Sequence, residues 1–164
     1  MSSDAIVILK NDHKEIRKLF RAFRSAGEGA KKGEVVGKII EVLTVHTYIE
    51  NEGMYPKVRD LVPELEDDVL ESYEEHHVAD VLVSELAAMS PEDERFDAKT
   101  TVLIENVEHH IQEEEDEWFP QVREHLGRKK LQEIGAGLLE LKEKAPTSPA
   151  QPSALKKAVD AVID

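Results

Sequence analysis

His46-Thr-Tyr-Ile-Glu50-Asn-Glu-Gly-Met-Tyr55-Pro56-Lys-Val58-Arg59 returns half a chain later as His110-Ile-Gln-Glu-Glu114-Glu-Asp-Glu-Trp-Phe119-Pro120-Gln-Val122-Arg123. Five of the fourteen positions are identical, and an aromatic precedes the proline both times. Each copy carries a His and a Glu four residues apart, which on an α-helix puts an imidazole and a carboxylate on one face, one turn apart. Such a pair can grip a metal ion as a unit, the imidazole giving nitrogen and the carboxylate one oxygen or a bridge of two. Two copies on two helices predict a site of two-fold pseudosymmetry with room for two metals.

Working outward from the first copy, Ile39, Val42 and Leu43 mark the inner face of a helix from about Val35, and that face continues onto His46 and Glu50. Before it, Asp4 caps a helix with Ile6, Leu9, Ile16, Leu19, Phe20 and Phe23 spaced three and four apart, and His13 falls in the same stripe. The glycines from Gly27 to Gly33 separate the two helices. Pro56 disturbs the second helix, and Leu61-Val-Pro63-Glu-Leu-Glu connects to a third, which carries Val69, Tyr73, Ala79, Leu82, Val83 and Leu86.

Adjacent histidines at 76 and 77 cannot share a face of that helix. At ~100° per residue the apolar positions centre on His76, while His77 falls at the stripe's edge. Aligning His76 with His13 pairs Ala79 with Ile16, Leu82 with Leu19 and Leu86 with Phe23, whereas aligning His77 brings Asp80 and Ser84 onto the stripe. The phase favours His76.

Ser90-Pro91-Glu-Asp93 reads as the start of the fourth helix, with Phe96, Leu103, Val107, His110 and Glu114 facing inward and His109 facing solvent. The other acids of the Glu113 to Glu117 run read mostly as a solvated face. After Gly127 a further amphipathic helix with Leu131, Ile134, Leu138 and Leu141 would cover the bundle. The expected division is residues 1–143 for the bundle with its covering helix, and 144–164 for a proline-rich linker and a tail whose last part, Ser153 to Asp164, can form a short helix. No stretch alternates like a strand, so the fold class is all-α.

Composition narrows the chemistry. The 164 residues carry a net charge of −14, which repels nucleic acid and anionic membranes. There is no cysteine, so any metal must use nitrogen and oxygen ligands. No run approaches the ~18 apolar residues of a membrane span, and a cytoplasmic location is expected. A lone core histidine is ordinarily just hydrogen-bonded. Here four helices each bring one to the core and two add a glutamate, and burying that set without a cation would cost several kcal/mol.

With Asp12-His13, His46 to Glu50 with Tyr55-Pro56, Glu75-His76-His77, and His110 to Glu114 with Phe119-Pro120, the chain resembles the hemerythrin-like family of bacterial domains, built on an H, HxxxE, H, HxxxE pattern, over about residues 4 to 143. The resemblance implies an up-and-down four-helix bundle of the myohemerythrin kind, here with an additional C-terminal helix, holding a non-haem di-iron centre bridged by oxo or hydroxo. It also implies His13, His46, His76 and His110 as terminal iron ligands, with Glu50 and Glu114 bridging.

Oxygen carriers of this family have a fifth histidine four residues after the first on the third helix, where this chain has Asp80, or Val81 counted from His77. Of about twelve positions on two octahedral irons, four histidines, two bridging carboxylates and a bridging oxygen leave roughly two open. Asp80, Tyr73 or Tyr55 could fill one. The expected function is binding of O₂, or reaction with peroxide or nitric oxide, with a catalase-like activity as the enzymatic form. The alternative is a non-catalytic module that senses or stores iron or oxygen.

Overall fold

A computed structural model describes residues 3–149, and every described element is helical. The short helix expected over residues 153–164 lies outside the described residues. Helix α1 (Ala5–Ser25) begins as its sequence predicts, with Asp4 Oδ1 accepting the Ile6 and Val7 N–H groups at 2.9 and 3.2 Å. Helix α2 (Ala30–Ile49) starts five residues earlier than expected: the chain leaves α1 extended at Ala26 and turns at Gly29, φ +84°, and the residues from Ala30 onward, Gly33 included, are already helical. Gly33 sits inside α2, where a Cβ would lie 2.8 Å from Pro91 Cγ, so the glycine lets the helix pack against the turn that holds Pro91, at the same end of the bundle.

Each repeated motif forms the same local structure. At Glu50–Met54 and Glu114–Trp118 the helix widens into one π turn, closed by the Tyr55 N–H on the Glu50 carbonyl and the Phe119 N–H on the Glu114 carbonyl. Pro56 and Pro120 follow directly, each in the first turn of the next helical segment, where the missing N–H is no loss. The expected disturbance is therefore a widening, and the rod carries on as α3 (Tyr55–Leu61). A 3₁₀ turn (Pro63–Leu65) leads into α4 (Glu66–Ala87). The fourth rod starts at Phe96 and not at Ser90. Asp93 Oδ2 accepts the Ser90 N–H at 2.7 Å, and the Phe96 N–H bonds the Asp93 carbonyl, so residues 90–95 close successive turns before α5 (Phe96–Glu113) begins.

Helix α6 (Phe119–Lys144) completes that rod and then breaks at Gly127 (φ 76°, ψ 172°). Residues 128–144 turn back along the bundle and bury Leu131, Ile134 and Leu138 against Ala5, Ile6, Leu9, Met54 and Tyr55. The architecture is a four-helix bundle with a fifth, covering helix, as the sequence predicts.

The core divides into two apolar clusters. One holds Ile6, Leu9, Met54, Val58, Trp118, Phe119 and the covering helix; the other holds Ile16, Phe20, Ile39, Leu43, Val83, Leu103 and Ile104. Between them, where the stripe of each rod passes through a histidine, lies a layer of buried polar side chains.

Candidate metal centre

His13, His46, Glu50, His76, His110 and Glu114, the six residues singled out in the sequence, meet in this layer, none more than 6 % exposed. They fall into two halves. His13, His46, Glu50 and Glu114 each offer one atom to a set whose members lie within 4.8 Å of one another, and Glu50, His76 and His110 do the same. Glu50 belongs to both: its Oε1 is 2.8 Å from His46 Nε2 and 3.3 Å from His76 Nε2. Glu114 spans the halves with two oxygens, Oε1 at 3.3 Å from His13 Nε2 and Oε2 at 3.5 Å from His110 Nε2. His77 and His109 are exposed, the latter paired with Glu113 one turn on.

Every inward imidazole is oriented from behind by an oxygen on its Nδ1. Asp12 holds His46 at 3.0 Å and Glu75 holds His110 at 3.3 Å; Glu115 holds His13 at 2.8 Å and Asn51 holds His76 at 2.7 Å. The rule repeats with the pseudosymmetry. The residue before the histidine of α1 or α4 serves the histidine of the next helix, Asp12 for His46 and Glu75 for His110, and the residue after Glu50 or Glu114 serves a histidine across the bundle, Asn51 for His76 and Glu115 for His13. Sequence reading missed these four partners, although the acid preceding both His13 and His76 was a visible signal. It also assigned Glu115 to a solvated face. Its side chain is 20 % exposed and is shared between His13 and Arg17, because the π turn rotates it back onto α1.

Electrostatics inside the layer are strong. Burial disfavours charge on His46, but Glu50 and Asp12 outweigh it and lift the imidazole to about 10. His110 is likewise opposed by burial yet raised to about 9 by Glu114 and Glu75. Glu50, despite its burial, is held well below the usual carboxylate range by His46 and His76. The Asp12 carboxyl is also lowered against its burial, by His46 and by Lys142, whose Nζ reaches Asp12 Oδ1 at 2.7 Å from the covering helix.

The halves differ in one respect. The Tyr55 hydroxyl donates to Glu114 Oε2 at 2.8 Å and lies 3.1 and 3.2 Å from Nε2 of His76 and His110, whereas its counterpart Phe119 stacks on His13 at 5.8 Å. Burial, then the carboxylates of Glu114 and Glu50, push the Tyr55 phenol well above its ordinary value, so it keeps its proton. Of the other two candidates for an additional ligand, Asp80 is exposed and the Tyr73 hydroxyl donates to the Asn51 carbonyl at 3.3 Å.

The inner atoms are left open. His13 Nε2, His46 Nε2, both Glu50 oxygens and Glu114 Oε1 are buried without a hydrogen-bond partner, their mutual approaches lacking hydrogen-bond geometry. Buried polar atoms are ordinarily paired, so five orphans converging on one place fit a cation. Nitrogen and carboxylate donors of this kind suit a first-row transition metal.

The model of the hemerythrin HHE cation binding domain family matches residues 4–122. A curated protein of Nostoc sp. described as a DNA nickase is 28 % identical over 126 residues, which make up 77 % of this chain and 35 % of that protein. The chain thus spans about a third of the length of this relative. A crystal structure of a hemerythrin HHE cation binding domain-containing protein from Mycobacterium kansasii shares the fold, with a TM-score of 0.73, 21 % identity and 86 % of each chain covered.

Proposed function

The chain belongs to the hemerythrin HHE cation-binding family, and from that premise we propose that it is a di-iron protein that binds O₂ or reacts with small oxidants such as peroxide or nitric oxide. The carrying observation is the set of five orphaned, inward atoms on a framework whose outer faces are all satisfied. His13 and His46 would hold one iron, His76 and His110 the other, with Glu50 and Glu114 bridging. Iron bound there supplies redox change and exchangeable coordination positions.

The protein's own residues prepare that chemistry. Asp12, Glu75, Glu115 and Asn51 fix the imidazole planes and turn each Nε2 inward, as outer partners of metal-ligating histidines do. The two apolar clusters exclude water from either end of the layer. Tyr55 keeps a proton 2.8 Å from Glu114 Oε2 on the side of His76 and His110. That hydroxyl can donate to a small molecule between the halves, and Phe119 offers no equivalent on the other side. With four histidines in the set, more than one position stays open, which favours reaction over reversible carriage.

The Nostoc relative's description concerns DNA, and no such activity is carried over: a net charge of −14 opposes binding to a phosphate backbone. The test is iron content with an absorption spectrum, followed by exposure of the reduced protein to O₂ and of the oxidised protein to peroxide. About two irons per chain, rapid autoxidation and O₂ release from peroxide are expected. An O₂ adduct that lasts many minutes and gives up its gas under vacuum, with peroxide left untouched, would make the protein a carrier.

A further inference from the structure

A cleft of about 100 Å³ opens between α4 and the Glu114–Trp118 turn and leads to the layer of buried ligands. Six of the ten residues lining it are carboxylates, and none is a lysine or arginine. Glu71, at the mouth, is exposed; Glu75 and Glu113 behind it are partly buried; His110 and Glu114 close the inner end. One oxygen from each of Glu71, Glu75 and Glu113 lies within 4.8 Å of the other two, near enough to share a cation.

Glu75 belongs to both ends of this path, since its Oε2 also accepts from His110 Nδ1 at 3.3 Å. A second observation points inward. The indole N–H of Trp118, 5 % exposed on the wall of the cleft, lacks a hydrogen-bond partner, and Glu114, 2 % exposed, closes the cleft on the side of His110, its Oε2 3.5 Å from His110 Nε2. The cavity has room for several waters, so an ion can arrive with part of its hydration shell, and one of those waters can satisfy the indole.

We propose that this cleft is the route by which a divalent cation reaches the buried centre, with Glu71, Glu75 and Glu113 as a transit site at its mouth. The proposal rests on the metal-centre reading given above. Like charges held this close raise the local concentration of cations and the rate at which they arrive, an effect that salt screens. The same wall opposes anions, which leaves neutral molecules as the class able to follow the metal in.

The experiment is stopped-flow loading of the metal-free full-length protein with cobalt(II), followed by its visible absorption, at low and high salt. Glu71→Gln/Glu113→Gln leaves Glu75 on His110 and should slow loading about tenfold or more at low salt, flatten the salt dependence and reach the same final cobalt content. Glu15→Gln/Glu140→Gln changes the net charge equally outside the cleft and should load like the unaltered protein. Equal rates for the two double variants at every salt concentration would overturn the route while leaving the centre intact. Failure of the unaltered protein to take up cobalt at all would overturn the centre itself, and the route with it. Melting of each metal-free variant checks that folding is unchanged.

Discussion

His76 and His77 are neighbours in sequence with opposite surroundings, one 3 % exposed among ligand-type side chains and the other on the outer face of α4. His76→Ala should therefore lose about half the bound metal and His77→Ala almost none, measured as metal per chain; the reverse result would put the metal-binding histidine on the other face of this helix. Asp12 acts one step further out. Asp12→Ala removes the acceptor on His46 Nδ1 and should weaken metal binding about 10- to 100-fold in a chelator competition. Asp12→Asn, which keeps one carbonyl oxygen, should recover part of that loss. Equal affinities for the two variants and the parent would mean that His46 needs no orientation from behind.

Among the helices, the covering segment of residues 128–144 depends on close approach. A Cβ at Gly135 would lie 1.4 Å from the Ser3 carbonyl oxygen, which is backbone and cannot swing away, whereas nothing lies within 4 Å of one at Gly137. Gly135→Ala should cost about 2 kcal/mol or more by overpacking, while Gly137→Ala should gain roughly 0.5–1 kcal/mol from helix propensity. Urea unfolding of the pair decides it, and equal effects would show that the covering helix docks loosely. This helix also reaches the centre, because Lys142 holds Asp12 and Asp12 holds His46. Undocking it in Gly135→Ala should therefore speed loss of metal to a chelator.

For the whole molecule, pH tests how the centre is balanced. With its pKa raised from 6.5 to about 10, His46 stabilises the metal-free fold fully below 6.5 and loses that contribution as pH rises through 10; His110 does so through about 9. Glu50, lowered from 4.5, stabilises above that value and loses the effect as pH falls through its folded pKa. Metal-free protein should thus be most stable near pH 5 to 6.5 and soften toward pH 10. Metal ligation needs neutral imidazoles, so the gain in melting temperature on loading should widen over the same alkaline range. Parallel melting profiles for the two forms would show that these protons are not displaced by metal.

Much of this was legible in the chain. Apolar spacing gave the four helices, the covering segment after Gly127 and the inward phase of His13, His46, His76 and His110, because burial imposes a 3.6-residue period that survives without knowing any partner. Other features depend on contacts between segments far apart in sequence. The π turns were hidden because their hydrogen bonds leave little compositional trace beyond the following proline. Asn51, Glu75 and Glu115 became partners of histidines only when helices 25 to 102 residues away brought those rings alongside. The sequence determined which side chains enter the core. Packing decided which oxygen backs each imidazole, that Tyr55 and not Asp80 reaches the centre, and that an acidic wall leads in from outside, since each of these is a distance between rods and not a property of one.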